Sequence, residues 1–157
     1  MMTVRSPHRL LSAGDSSTSA VPAAGGLPLA VYVLATSADG TRAALMAAGA
    51  HARDLEARIV LLVPHVVPYA QALEHPADSV GFVADRFRTL AVELDVEVTI
   101  QVCLCRPEHA ALAPLIPQDA VILVGGRTRR WWSTREQRLA GTLTRTGRRV
   151  LFVQTDC

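Results

Sequence analysis

Apolar and polar positions alternate along the chain in blocks that predict a repeating order of strands and helices. Short apolar runs, typical of strands buried on both faces, are separated by segments whose apolar residues recur every three or four positions, as in amphipathic helices. This order predicts an α/β domain with a parallel sheet, right-handed crossovers and helices on both faces. The predicted strands span residues 29–35, 58–63, 96–104, 120–125 and 150–153, and the longer helices span residues 41–57, 78–94 and 135–146.

The first 27 residues lack this periodicity. They are rich in Ser, Ala, Gly and Pro, so we expect a disordered tail over residues 1–27 and a single domain over residues 28–157. The tail has no apolar core of the kind found in signal peptides, and no run in the chain reaches the roughly 18 residues of a membrane helix. Together with an odd number of cysteines, three, this favours a cytoplasmic protein with no membrane contact.

The chain contains no lysine, and this excludes several enzyme classes. A P-loop NTPase and a protein kinase each need a lysine that contacts the nucleotide phosphates, and receiver domains use a lysine beside their aspartates. No nucleophile with an adjacent base is recognisable, so we expect a protein that is not an enzyme. Cys103 and Cys105 lie two positions apart on a strand; they either contribute to a metal site or, as we predict, are small core residues.

Arginine is concentrated near the carboxyl terminus. Eight arginines lie within residues 127–149, where Glu136 is the only acidic residue. Such a cluster attracts phosphates or acidic surfaces, although it is equally compatible with a solvated helix face. No nucleic-acid recognition motif accompanies it, so we do not expect a nucleic-acid partner.

Glycine and tryptophan interrupt the pattern in the same region. Gly125 and Gly126 follow an apolar strand, where the lack of a side chain lets the backbone bend sharply or approach a ligand. The loop after them carries Trp131 and Trp132, which either stack on a ligand or pack against the domain itself or a partner.

These features together resemble the universal stress protein family over residues 28–154. The family pattern has an Ala-Thr-Asp-Gly-Ser turn after the first strand and a second strand ending in His-Val. Its last unit contains Gly-x-x-Gly, nine further residues and then Gly-Ser/Thr. The corresponding segments here are residues 35–40, residues 65–66, and Gly126 with Gly141 and Thr142. The order and spacing of these short motifs carry the resemblance.

The resemblance implies a five-stranded sheet of order 3-2-1-4-5 that binds ATP, with magnesium, and holds its phosphates at the last loop and helix. In such a sheet, ligands lie outside the carboxyl ends of the first and fourth strands, where the strand order reverses. We therefore expect residues 36–40 to meet residues 125–128. The predicted nucleotide-binding residues are Ser37, Asp39, Val66, Gly125, Gly126, Arg127, Arg129, Gly141 and Thr142.

This chain departs from the family pattern at the expected site. Ser37 stands where ATP-binding members have an aspartate, so that Asp39 would have to substitute for it, and Arg129 stands where the second glycine is expected. Two hypotheses follow. The chain is either an ATP-binding regulatory protein that acts by regulated association, or a nucleotide-free interaction module of the same fold with an occluded pocket. An ATP pyrophosphatase is a weaker third hypothesis, because its Ser-Gly-Gly-x-Asp-Ser-type loop is missing.

The last predicted strand suggests how the protein assembles. In the implied order, residues 150–153 form an edge strand with unpaired backbone groups and no proline or charge to block pairing. The family resemblance also implies pairing through this strand. We therefore predict a homodimer in which two such edges pair about a two-fold axis.

Overall fold

The computed structural model describes residues 10–12, 29–66, 79–105, 109–129 and 133–155. Helices and strands follow one another much as the sequence predicts. The strands are β1 (Leu10–Ser12), β2 (Ala30–Leu34), β3 (Arg58–Val66), β4 (Val98–Cys105), β5 (Val121–Gly126) and β6 (Arg149–Gln154). The helices are α1 (Ala38–Leu55), α2 (Ser79–Glu93) and α3 (Arg135–Arg145), with a 3₁₀ helix at His109–Leu115.

The strands form one sheet in the order β1-β4-β3-β2-β5-β6. The five strands from β4 to β6 are parallel, which confirms the predicted order 3-2-1-4-5. At the centre, Val33 of β2 lies beside Leu61 of β3 and Leu123 of β5.

An additional strand extends the sheet at its other edge. β1 pairs antiparallel with β4, with Leu10 opposite Cys103. The sequence assigned these three residues to a tail without regular structure, and their pairing corrects that assignment locally. The rest of residues 1–27 lies outside the described part of the chain.

The sheet separates two apolar cores. Successive strand residues point to opposite faces, so Val31 and Val33 pack with α1 and α2, whereas Tyr32 and Leu34 pack with the 3₁₀ helix and α3. Both faces are therefore covered, which explains why the runs at residues 59–63 and 121–124 are continuously apolar. Cys103 is buried in the second core, as predicted for a small core residue.

Capping interactions set the helix boundaries. α1 begins three residues earlier than predicted, because the Ser37 hydroxyl accepts a hydrogen bond from the Gly40 amide at 3.1 Å. Asp39 and Gly40 therefore belong to the first helical turn instead of a preceding loop. At the other end, Glu56 adopts a left-handed conformation with φ of 49°, and Leu55 before it is exposed. None of the described helices is long and apolar enough to span a membrane.

Candidate functional site

The carboxyl ends of β2 and β5 are joined by hydrogen bonds. The Thr36 hydroxyl donates to the Gly125 carbonyl at 2.7 Å, and the Thr36 amide donates to the Thr41 hydroxyl at 3.0 Å. Thr41 is completely buried, so its hydroxyl has no access to water. These bonds fix the turn after β2 against the end of β5 and confirm that residues 36–40 meet residues 125–128.

Gly125 permits direct contact between the backbones of β5 and α1. A Cβ atom built on Gly125 would lie 1.8 Å from the Gly40 carbonyl oxygen, and one built on Gly40 would lie 2.4 Å from the Gly125 oxygen. No side chain fits between the two backbones. Gly125 therefore serves helix–strand packing and presents no open face to a ligand.

Gly126 packs against α3 on the side where a side chain would project. A Cβ atom at this position would lie 2.7 Å from Cβ of Glu136, in the first turn of α3. The Gly126 carbonyl accepts a hydrogen bond from the Thr155 amide at 3.0 Å. Gly126 is the last residue of β5 and pairs with Gln154 of β6. The two glycines are thus buried parts of the framework, whereas the sequence predicted that they bind the ligand.

The amino terminus of α3 is held over the end of the sheet by a capping box. The Thr134 hydroxyl accepts from the Gln137 amide at 3.2 Å, while the Gln137 side chain accepts from the Thr134 amide at 2.8 Å. The same hydroxyl donates to the Arg127 carbonyl at 3.1 Å. The helix start is therefore tied to the loop that follows β5.

Two adjoining clefts open at this end of the sheet. The arginine cleft, of about 490 Å³, has a strongly basic lining that consists of Ser37, Asp39, Arg127, Arg129, Ser133, Thr134, Arg135, Glu136 and Arg138. The inner cleft, of about 360 Å³, is lined by Ala35, Thr36, Ser37, Pro64, Arg135, Glu136 and Leu139. Ser37, Arg135 and Glu136 line both, so the two clefts are neighbours.

The arginine cleft brings together four of the predicted site residues. Ser37 caps the start of α1 and Asp39 lies in its first turn, whereas Arg127 and Arg129 lie in the loop after β5. Arg127 Nη2 is 4.0 Å from Asp39 Oδ2, and both side chains are mostly exposed. This ion pair is long and solvated, so we expect it to contribute little to stability.

Other predicted site residues lie elsewhere. Gly141 and Thr142 are well inside α3 and line neither cleft. The Thr142 hydroxyl donates to the Arg138 carbonyl at 2.9 Å, so its hydrogen bond is local to the helix. Val66 is the last residue of β3 and also lines neither cleft, although Pro64 of the same strand does. Trp131 and Trp132 are outside the described residues.

The sequence did not single out several residues that line the clefts. Arg135 and Arg138 come from the first turns of α3, and Pro64 and Leu139 supply apolar surface to the inner cleft. The capping-box pattern, Thr134 followed three positions later by Gln137, agrees with the predicted start of α3 at Arg135. Among the residues that the structure describes, no group of three His, Cys, Asp or Glu residues is placed to hold a metal ion.

Comparison with known proteins supports the fold assignment. No protein-family model and no curated protein matches the sequence. A universal stress protein solved in complex with cAMP is 18% identical over 82% of this chain and 98% of its own, with a TM-score of 0.57. A member from Burkholderia pseudomallei is 16% identical over 84% and 100%, with a TM-score of 0.53.

A third solved structure, the universal stress protein from Archaeoglobus fulgidus in complex with dAMP, is 9% identical to this chain. It matches over 82% of this chain and 98% of its own, with a TM-score of 0.52. At these identities the likeness concerns the fold alone. The chain therefore has the universal stress protein fold, as its sequence motifs predicted.

Proposed function

We propose that this chain is a cytoplasmic universal-stress-type protein that binds an adenine nucleotide and acts by regulated association with a second copy of itself. The observation that carries the proposal is the pair of adjoining clefts at the carboxyl ends of β2 and β5. The sheet order reverses between these two strands, and this is where open α/β sheets bind their ligands.

The two clefts suit the two halves of a nucleotide. Ala35, Pro64 and Leu139 give the inner cleft an apolar wall of the kind that accepts a base, and Thr36 lies beside them. The arginine cleft next to it offers guanidinium groups for phosphates. Two of the solved proteins with this fold were crystallised with adenine nucleotides, cAMP and dAMP, which supports the same class of ligand here.

The phosphate-binding part of the proposed site differs from a glycine cradle. Gly125 and Gly126 are buried and pack against Gly40 and Glu136, so they do not form an open glycine loop. The proposed phosphate contacts come instead from Arg127 and Arg129, with Ser37 and Asp39 across the cleft. Gly141, Thr142 and Val66 have no part in the proposed site.

Regulated association is proposed to use β6. This strand lies at the edge of the sheet, and Leu151 on it is 44% exposed. An exposed parallel-sheet edge offers backbone donors and acceptors that a two-fold partner can pair.

The alternative is a nucleotide-free interaction module. The observation that favours it is the close packing of Gly125 and Gly126, which removes the flexible backbone that phosphate loops use. In that case β6 would pair with a partner while both clefts stay empty in solution.

Calorimetric titration with ATP, together with native mass spectrometry of the freshly purified protein, separates these functions. We expect saturable binding of one ATP per chain, and a co-purified adenine nucleotide in the mass spectrum. Thr142→Val is expected to bind ATP within about twofold of the wild type, since its hydroxyl is engaged within α3. Absence of heat and of a thermal shift at millimolar ATP, for a folded protein, would support the interaction module instead.

A further inference from the structure

Four arginines converge on the arginine cleft from two different segments. Arg127 and Arg129 come from the loop after β5, and Arg135 and Arg138 come from the first turns of α3. Within the described part of the chain, only Arg127 of these four has a carboxylate within ion-pair distance, Asp39 at 4.0 Å. The cleft therefore holds guanidinium groups that form no ion pair with any described carboxylate.

The negative charge in the cleft is smaller. Asp39 and Glu136 are the two carboxylates in its lining, so four arginines leave an excess of two positive charges. Glu136 covers Gly126 and occupies the second position of α3, where a carboxylate interacts favourably with the helix dipole. Its presence is thus explained without a metal ion.

These charges do not fit a magnesium site. Mg²⁺ requires oxygen ligands in near-octahedral geometry, commonly one or two carboxylates with water and phosphate oxygens. Here Asp39 already faces Arg127, and the surrounding guanidinium groups repel a divalent cation. The same positive charges that disfavour a metal are able to neutralise phosphate directly.

Side-chain donors dominate the lining of the cleft. Besides the hydroxyls of Ser37, Ser133 and Thr134, they belong to the four arginines. Each guanidinium group can bind a phosphate through two parallel hydrogen bonds. A longer phosphate chain therefore reaches more of the four arginines than a single phosphate can.

From this arrangement we infer that the arginine cleft recognises a chain of two or more phosphates through guanidinium groups and without a metal ion. The inference rests on the proposed nucleotide function and specifies its ligand. The inferred site would prefer ligands with several phosphates over monophosphates such as cAMP and dAMP, which two solved proteins of the same fold bind. The phosphate chain belongs either to a nucleotide or to inorganic polyphosphate, and the chemistry recognised is the same.

Competition titrations with AMP, ADP, ATP and inorganic tripolyphosphate test this inference. In EDTA we expect affinity to rise from AMP to ADP to ATP by roughly threefold to tenfold for each added phosphate, as more charge-assisted hydrogen bonds form. Tripolyphosphate should displace ATP. Added Mg²⁺ should leave ATP affinity unchanged or lower it, and added salt should weaken binding because the arginines are exposed.

A matched pair of variants on α3 locates the effect. Arg138→Gln removes a guanidinium from the cleft and is expected to reduce the ratio of ATP to AMP affinity by about fivefold. Arg145→Gln removes the same charge from the last turn of the same helix, away from both clefts, and is expected to keep that ratio. Thermal unfolding of both variants verifies that each is folded.

The possible outcomes separate the inference from the proposed function. Equal affinities for AMP and ATP, or ATP binding that requires Mg²⁺, would overturn the inference while the nucleotide function stands. Tripolyphosphate binding without nucleotide binding would keep the phosphate site and overturn the nucleotide function. Equal effects of the two variants would place the phosphates elsewhere, and no binding of any probe would overturn both.

Discussion

Gly125→Ala is expected to lower the free energy of unfolding by about 3 kcal/mol, the largest effect that we predict for a single methyl group. The added Cβ would lie 1.8 Å from the Gly40 carbonyl oxygen, and the atom that it meets is backbone. Relief requires α1 and β5 to separate, and this strains the hydrogen bond from Thr36 to Gly125. Chemical denaturation of the two proteins measures the difference.

Gly141→Ala is the matched control for this substitution. Gly141 lies within α3, and a Cβ there would approach nothing closer than Arg145 Nη2 at 3.9 Å. Because alanine favours a helix over glycine, the variant is expected to be more stable by about 0.5–1 kcal/mol. A Gly125→Ala protein as stable as the wild type would contradict the close packing of β5 on α1.

Gln154→Pro is expected to weaken homodimerisation by about thirtyfold. The Thr155 amide points toward β5, where it bonds to Gly126, and neighbouring residues of a strand point their amides in opposite directions. The amide of Gln154 therefore faces the open edge of β6. Proline removes this donor from both copies, and two lost hydrogen bonds amount to about 2 kcal/mol. Sedimentation equilibrium measures the dissociation constant.

Two further variants make the dimer test specific. Gln154→Ala keeps the amide and is expected to dimerise like the wild type. Val153→Pro removes an amide that faces β5 and is expected to destabilise the monomer itself. A wild-type protein that sediments as a monomer at high micromolar concentration would refute the proposed homodimer without any variant.

Most of the fold could be predicted because a strand that is buried on both faces of the sheet appears in the sequence as a continuous apolar run. The run from Val121 to Val124 is apolar throughout, as a strand between two cores must be. β1 has no such pattern, because three residues, Leu10–Ser12, are too few to show a periodicity. Its pairing with β4 is what identifies it as a strand.

The sequence predicted the parts of the candidate site that follow from strand order. It did not predict the parts that depend on local packing. Ser37 and Arg127 meet because β2 and β5 are adjacent parallel strands, which follows from element order. Gly141 was assigned to the site by motif spacing, although the predicted helix over residues 135–146 already contained it, and α3 holds it in the helix interior. The glycines of β5 were predicted to bind phosphate, but their packing against α1 and α3 depends on contacts distant in sequence.

Hydrogen exchange with and without ATP tests the central claim most directly, because it reports both binding and its location. The proposed site predicts slower exchange in residues 36–41 and 127–139 at saturating ATP. It predicts no change at residues 95–99, at the opposite end of the sheet. Unchanged exchange throughout the chain, or protection confined to residues outside the two clefts, would contradict a nucleotide site between β2 and β5.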